Sequence, residues 1–263
     1  MNRPLTRLAG LLAGTALAAT LAIPALAAPA RPQAIGDPIA AQAAAETGIT
    51  RCAAAWVTAR ANPTVPNLQA VGFCEIDRRL ATLDRLRGLV GEAGALTDGH
   101  KATLAGILDG ATRGLTALRV QIAADTTVAS LRTDIRRIYT DYRVYALDVR
   151  QVVLVRGDDR VGVAAGRLDD AAGRLADAIA QAAANGKDVT VAQAHLDSMK
   201  AATGKAADEV AGDAEAVLAQ TPAAWNAGTA KPILDAARAS LSAAHSDLRT
   251  AVVEARAVLA ALR

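Results

Sequence analysis

The sequence predicts an all-α fold, an elongated antiparallel helical bundle of six or seven helices with coiled-coil-like packing, and three observations predict it. Aliphatic residues recur at alternating spacings of three and four over long stretches, the period of helices that zip side by side. Aromatic residues make up only 2% of the 263, so a core must be assembled from Leu, Val, Ile and close-packed Ala over long contacts. The stripes are separated by Pro, Asn-Gly and Thr, residues that end or begin helices.

Ahead of the stripes stands a different kind of segment. Arg3 and Arg7 precede an apolar run from Leu8 to Ile23, followed by Pro24 and Ala25-Leu26-Ala27. A charged start, a short apolar middle and a small-x-small exit describe a secretory signal peptide, too short and wrongly flanked for a bilayer span. Residues 1–27 are therefore expected to be removed near Ala27. Cleavage takes away two arginines and no acid, so the formal charge falls from +3 to +1. Near-balanced charge without a basic block gives no electrostatic grip on nucleic acid or anionic lipid. With no Cys at the cleavage site and no apolar tail at Ala261-Leu262-Arg263, periplasmic or extracellular release is the expectation.

Two further divisions are expected, 28–74 as an N-terminal helix with a Pro-containing loop and 75–263 as the bundle. The first helix should run from Pro38 to about Ala61 and break at Pro63 and Pro66. A second opens near Glu75, with Ile76, Leu80, Leu83 and Val90 inward and Arg78, Arg79, Asp84 and Arg85 on the opposite face; Gly91 and Gly94 end it. Thr97 is a fair N-cap for the stripe Leu104, Leu108, Ala111, Leu115, Leu118 and Ile122. Asp125 or Thr126 restarts the chain for Val128, Leu131, Ile135, Ile138, Tyr142, Tyr145 and Val149, a second long helix and an antiparallel neighbour of the first. A break is expected at Gly157-Asp158-Asp159-Arg160. Val161, Ala164, Leu168, Ala171, Leu175 and Ile179 then continue to Asn185-Gly186, a strong stop. Thr190 with Gln193 reads as a capping box for a helix carrying Leu196, Met199, Ala206, Val210 and Val217 and ended by Thr221-Pro222. Pro232 suits a first helical turn, and Leu234, Leu241, Leu248, Ala255 and Leu262 fall seven apart.

Cys52 and Cys74 are the two cysteines. In an exported chain an even pair is most simply a disulfide, and Asn62, Pro63, Pro66 and Asn67 between them allow the chain to double back. Two buried thiols are the alternative.

Groups with reactive chemistry are dispersed. His100, His195 and His245 fall on three predicted helices without a partner pattern and are expected at the surface or its boundary. His195 and Asp197, two apart, point to different sides of a helix and lack metal-ligand spacing. Asp158-Asp159 and Asp169-Asp170 lack the alternating oxygen ligands of a calcium loop and read as solvated charge. No phosphate loop, zinc helix or nucleophile elbow is present, so no catalytic residue, metal or cofactor is expected. One concentration stands out: Tyr139, Tyr142 and Tyr145 lie within seven residues, interleaved with Arg136, Arg137, Arg143 and Arg150. Aromatic faces beside guanidinium forks can stack on sugars or grip carboxylates, which makes Tyr139, Tyr142, Arg143 and Tyr145 candidate ligand or partner contacts. The competing reading places Tyr142 and Tyr145 on the apolar stripe, filling the core with their hydroxyls reaching water. Trp56 and Trp225 read as packing anchors.

The run Cys74-Glu75-Ile76-Asp77-Arg78-Arg79-Leu80-Ala81-Thr82-Leu83, the helix start Leu96-Thr97 with Lys101 and Leu104, Ala124-Asp125-Thr126, and Tyr142-Arg143-Val144-Tyr145-Ala146-Leu147 together resemble a family of exported bacterial all-helical proteins of uncharacterised function. In that family a proline commonly follows the Tyr-Arg-Val-Tyr segment, whereas here Asp148-Val149-Arg150 continues. The resemblance implies architecture and export, not an activity.

The reading these features favour is a secreted or envelope-associated, non-enzymatic helical protein with a structural or interaction role, its contact a cell-envelope component or another protein. A membrane-active or lipid-binding amphipathic bundle is the first alternative, weakened by the lack of a long uninterrupted apolar hairpin after the leader. A helical-bundle binder of a small ligand, with its pocket near Tyr139 to Tyr145, is the second.

Overall fold

The computed structural model describes residues 52–263, and every described element is helical. The predicted leader and the part of the first helix before residue 52 lie outside the described residues. The described chain belongs wholly to the unit spanning Ala34–Arg263.

A helical segment over 52–61, here α1, is followed by α2 (Val65–Gly91), α3 (Asp98–Ala124), α4 (Val128–Thr140), a π-helical turn (Val144–Asp148), α5 (Val149–Ala184), α6 (Thr190–Glu209), two short helices α7 (Asp213–Leu218) and α8 (Pro222–Asn226), and α9 (Ala230–Ala261). Six of these have 13 residues or more. The all-α helical packing read from the stripes is what the chain adopts.

Local chemistry explains most boundaries. Thr97 caps α3 by accepting from the His100 amide, and Thr127, one residue beyond the expected restart, caps α4 by accepting from Ser130. Asn185-Gly186 closes α5: Gly186 takes φ 78°, its amide donates to Ala183 and the Lys187 amide to Ala182, so both orphan carbonyls are satisfied by a left-handed residue that only glycine adopts cheaply.

Four expectations are corrected. Helix α2 begins at Val65 rather than near Glu75, because Pro66 occupies its first turn, where a missing amide costs nothing; the expected division at 74/75 therefore falls inside a helix. Gly157-Asp158-Asp159-Arg160 does not break the chain, since α5 runs unbroken for 36 residues. The interruption lies earlier, at residues 141–143 and the π-helical turn, inside what the stripe presented as one helix from Val128 to Val149. Finally, α6 has no Thr190–Gln193 capping box: Asp188 accepts from the Thr190 amide at 2.9 Å, and Gln193 turns to Asp197.

Two cores result. The larger is built from α2, α3 and α4 with the first halves of α5 and α9, and its fully enclosed side chains include Leu83, Leu104, Leu115, Ile122, Leu131 and Leu234. The smaller joins the second halves of α5 and α9 to α6, with Ala171, Ala172, Ala192, Ala251 and Ala255 beside Leu175, Leu196 and Met199. Small residues let these three helices approach closely, offsetting the scarcity of large side chains. Directions follow from cross-helix pairs. Arg87–Asp109 and Arg119–Asp77 set α2 and α3 antiparallel; Lys205–Asp247 and His195–Glu254 do the same for α6 and α9. Arg150–Asp235 and the contact of Gly157 with Leu241 make α5 and α9 run the same way, with α6 returning along both.

Candidate functional site

A disulfide joins Cys52 to Cys74 and so ties α1 to the middle of α2. The next residue along, Glu75, is 4% exposed and collects donors from two helices, α1 and α2. Arg79 Nη1 donates at 2.6 Å and Arg78 Nη2 at 2.7 Å, both to Oε2, while Trp56 Nε1 of α1 donates to Oε1 at 3.2 Å. Tyr139 of α4 feels the charge of the same carboxylate. Burial alone would raise the Glu75 carboxyl, but the hydrogen bond and charge of Arg79, with Arg78 and Trp56, outweigh it and hold the group below the usual carboxylate range. Burial, then the Glu75 charge, pushes the Tyr139 phenol up to about 12, so it stays neutral.

The four candidate contacts from the tyrosine cluster separate in space. Tyr139 and Tyr145 come together, their rings under guanidinium groups: Arg79 lies 4.5 Å from the Tyr139 centroid and 5.2 Å from that of Tyr145, and Arg78 lies 4.7 Å from Tyr145. Tyr142 goes elsewhere, its ring against Gly114 of α3. Arg143 reaches Asn226 of α8, its Nε 2.8 Å from Oδ1, and Asn226 in turn donates to the Thr140 carbonyl. The arginines that meet the tyrosines are thus Arg78 and Arg79, expected on the exposed face of α2, and not the neighbours in the Tyr139–Tyr145 segment. Arg79 is only 3% exposed. The available signal was the spacing of Glu75, Arg78 and Arg79, three and four apart and adjacent to Cys74, which places all three on one side of a helix.

Beside this cluster a half-open cleft of about 490 Å³ lies between α1 and α4, with Trp56 and Tyr139 among its walls and Leu68 and Ile135 below. Arg60, Arg132 and Arg136 line it as well.

A second polar group sits where α3, α5 and α7 meet. His100 Nδ1 lies 2.9 Å from both oxygens of Asp159, and Nε2 lies 3.5 Å from Glu215 Oε1. Asp159 also accepts the Thr97 amide at the start of α3. Desolvation disfavours the imidazolium, yet Asp159 and Glu215 outweigh it and raise His100. Asp158 is 6% exposed and neither of its oxygens has a hydrogen-bond partner. Burial, then the charges of Asp213 and Asp159, pushes it up to about 7. The expectations of unpartnered histidines and of solvated Asp158-Asp159 are both corrected here; His195 is also paired, its Nδ1 2.7 Å from Glu254. Among the described residues no group of three His, Cys, Asp or Glu side chains is placed to hold a metal ion.

Comparison with family models, with curated proteins and with solved structures finds no match for this chain.

Proposed function

We propose that this chain is an exported, non-enzymatic helical protein of the bacterial envelope or its surroundings, acting by contact with another component. The observation that carries the reading is the Cys52–Cys74 bridge, which suits an oxidising compartment and agrees with the leader read in residues 1–27. Among the described residues no helix is long and apolar enough to cross a membrane. Among the described residues the exposed large apolar side chains, Val57, Val120, Val163, Val191 and Val253, fall on five different helices and form no continuous apolar face there. The contact role draws on the packing of Tyr139 and Tyr145 under Arg78 and Arg79, beside which Arg60, Arg132 and Arg136 form no ion pair among the described residues.

Expression of the full chain in an exporting bacterial host tests this. The expected product is a disulfide-bonded form lacking residues 1–27, found in periplasm or medium and retained by cell-wall material or envelope extract. An uncleaved, reduced product inside the cell would overturn export. Failure of every envelope fraction to retain the protein would overturn the contact role.

A further inference from the structure

The cleft between α1 and α4 has the size of a small-ligand pocket, and its construction indicates what it takes. Its two aromatic walls are held by one buried ion pair, Glu75 with Arg79: Trp56 Nε1 donates to Glu75, the Arg79 guanidinium lies 4.5 Å from the Tyr139 ring centroid, and the disulfide pins the helix that carries Trp56. Walls fixed in advance spare an incoming ligand the cost of ordering them. Between them Leu68 and Ile135, both buried, give an apolar floor.

The rim is cationic. Among the described residues none of Arg60, Arg132 and Arg136 forms an ion pair, whereas Arg79, Arg87, Arg119, Arg137 and Arg150 each meet a carboxylate. Arg132 and Arg136 stand one turn apart on α4, a like-charged spacing that disfavours the helix. Arg137, next in sequence, has both Asp134 and Asp141. Arg60 lies 5.8 Å from the Trp56 ring centroid, so a positive charge borders the aromatic wall. Guanidinium forks match the geometry of carboxylate and phosphate oxygens, and flat aromatic faces match a flat apolar body.

We propose that this cleft binds a small amphipathic oxyanion, a carboxylate or phosphate carried on a flat apolar body. Arg132 and Arg136, with Arg60, receive the anionic head, and the body lies between Trp56 and Tyr139. The assignment deepens the contact role proposed above and rests on it for its setting.

Titration calorimetry on the purified protein with its bridge intact tests it, using 2-naphthoate, 2-naphthyl phosphate, 2-naphthylmethanol and inorganic phosphate. Saturable binding of either naphthyl anion is expected, the tighter of the two naming the head group. The neutral alcohol and inorganic phosphate should each bind about tenfold or more weakly, since each lacks one half of the recognition. Arg132→Gln with Arg136→Gln, both exposed positions, should weaken the naphthyl anion by about tenfold or more while leaving the circular-dichroism spectrum unchanged. Arg174→Gln, an exposed change on α5, should leave binding as it was. The proposal is overturned by the absence of saturable binding at millimolar naphthyl anion, by equal binding of the alcohol, or by full binding in the double variant. Envelope retention without naphthyl binding overturns the ligand class alone; naphthyl binding without envelope retention overturns the envelope partner alone.

Discussion

Arg79 and Glu75 form an ion pair across one turn of α2 at 2.6 Å, and both side chains are about nineteen-twentieths buried. Two charges removed from water are stable only when each is compensated, so deleting one partner strands the other. Glu75→Ala is expected to destabilise the fold by about 3–5 kcal/mol, and it also releases Trp56. Glu75→Leu combined with Arg79→Leu removes both charges and should cost clearly less than Glu75→Ala. Urea unfolding of the three proteins checks this; a double variant weaker than the single one would show that the pair is net stabilising.

The bridge between Cys52 and Cys74 closes a loop across a sequence separation of 22. Restricting the unfolded chain to that extent stabilises by about 3 kcal/mol in the chain-entropy model. Cys52→Ser with Cys74→Ser is therefore expected to lower the unfolding free energy by about that amount. Reductant should reproduce the loss in the parent protein and do nothing further to the variant. Unfolding curves unaffected by reductant would mean that the bridge contributes nothing to stability.

The stripe of α3 was legible because Leu104, Leu108, Leu115, Leu118 and Ile122 are all fully enclosed, and burial is what hydrophobic period reports. The stop at Asn185-Gly186 was legible because a left-handed residue has few candidates. Polar groups were not. Glu75 and Arg79 on α2, and Asp158 on α5, have the composition of a solvated face, and only the elements laid over them bury them. The interruption at 141–143 was hidden for the opposite reason, since Tyr142 and Tyr145 continue the apolar count while the backbone leaves the helix. Of the candidate contacts, sequence spacing placed Tyr139 and Tyr145 near guanidinium groups but could not name Arg78 and Arg79, which arrive from another helix.

Asp158 and His100 make stability depend on pH in one direction. The folded protein holds the Asp158 proton up to about pH 7, whereas an unfolded aspartate loses it near 4. In that interval the native state binds more protons, so its stability falls as pH rises. His100, raised by Asp159 and Glu215 against desolvation, contributes fully below its unfolded value and loses that contribution as pH rises through the folded one. Asp148, pushed up to about 6 by burial, acts in the same sense. His245, lowered by desolvation and by Arg249, opposes them, and Glu75, held low, is lost only in stronger acid. The expected outcome is greater stability at about pH 5 than at pH 8, by about 2 kcal/mol. Asp158→Asn, which carries no charge at either pH, should flatten the profile chiefly by raising stability at pH 8. Denaturant unfolding at the two pH values decides it, and a parent protein more stable at pH 8 would contradict the assignment.

Gly114 and Gly110 lie one turn apart on α3, and the same substitution should have opposite signs at the two. Alanine in place of glycine inside a helix is worth about 0.5–1 kcal/mol from backbone entropy alone. At Gly110 a Cβ meets nothing within 4 Å, so Gly110→Ala should stabilise by about that amount. At Gly114 a Cβ would stand 2.4 Å from the Tyr142 ring and hydroxyl. A rigid ring cannot bend aside as an aliphatic tip can; it must rotate out and give up its packing on α3, a cost of about 1–3 kcal/mol that exceeds the helix gain. Gly114→Ala is therefore expected to destabilise, and in a Tyr142→Ala background, where the obstruction is gone, to stabilise as at Gly110. A double-mutant cycle by thermal unfolding reads the difference. Equal effects of Gly114→Ala in the two backgrounds would show that Tyr142 does not rest on α3, and with it that the chain's departure from the helix at 141–143 is fixed by something other than this contact.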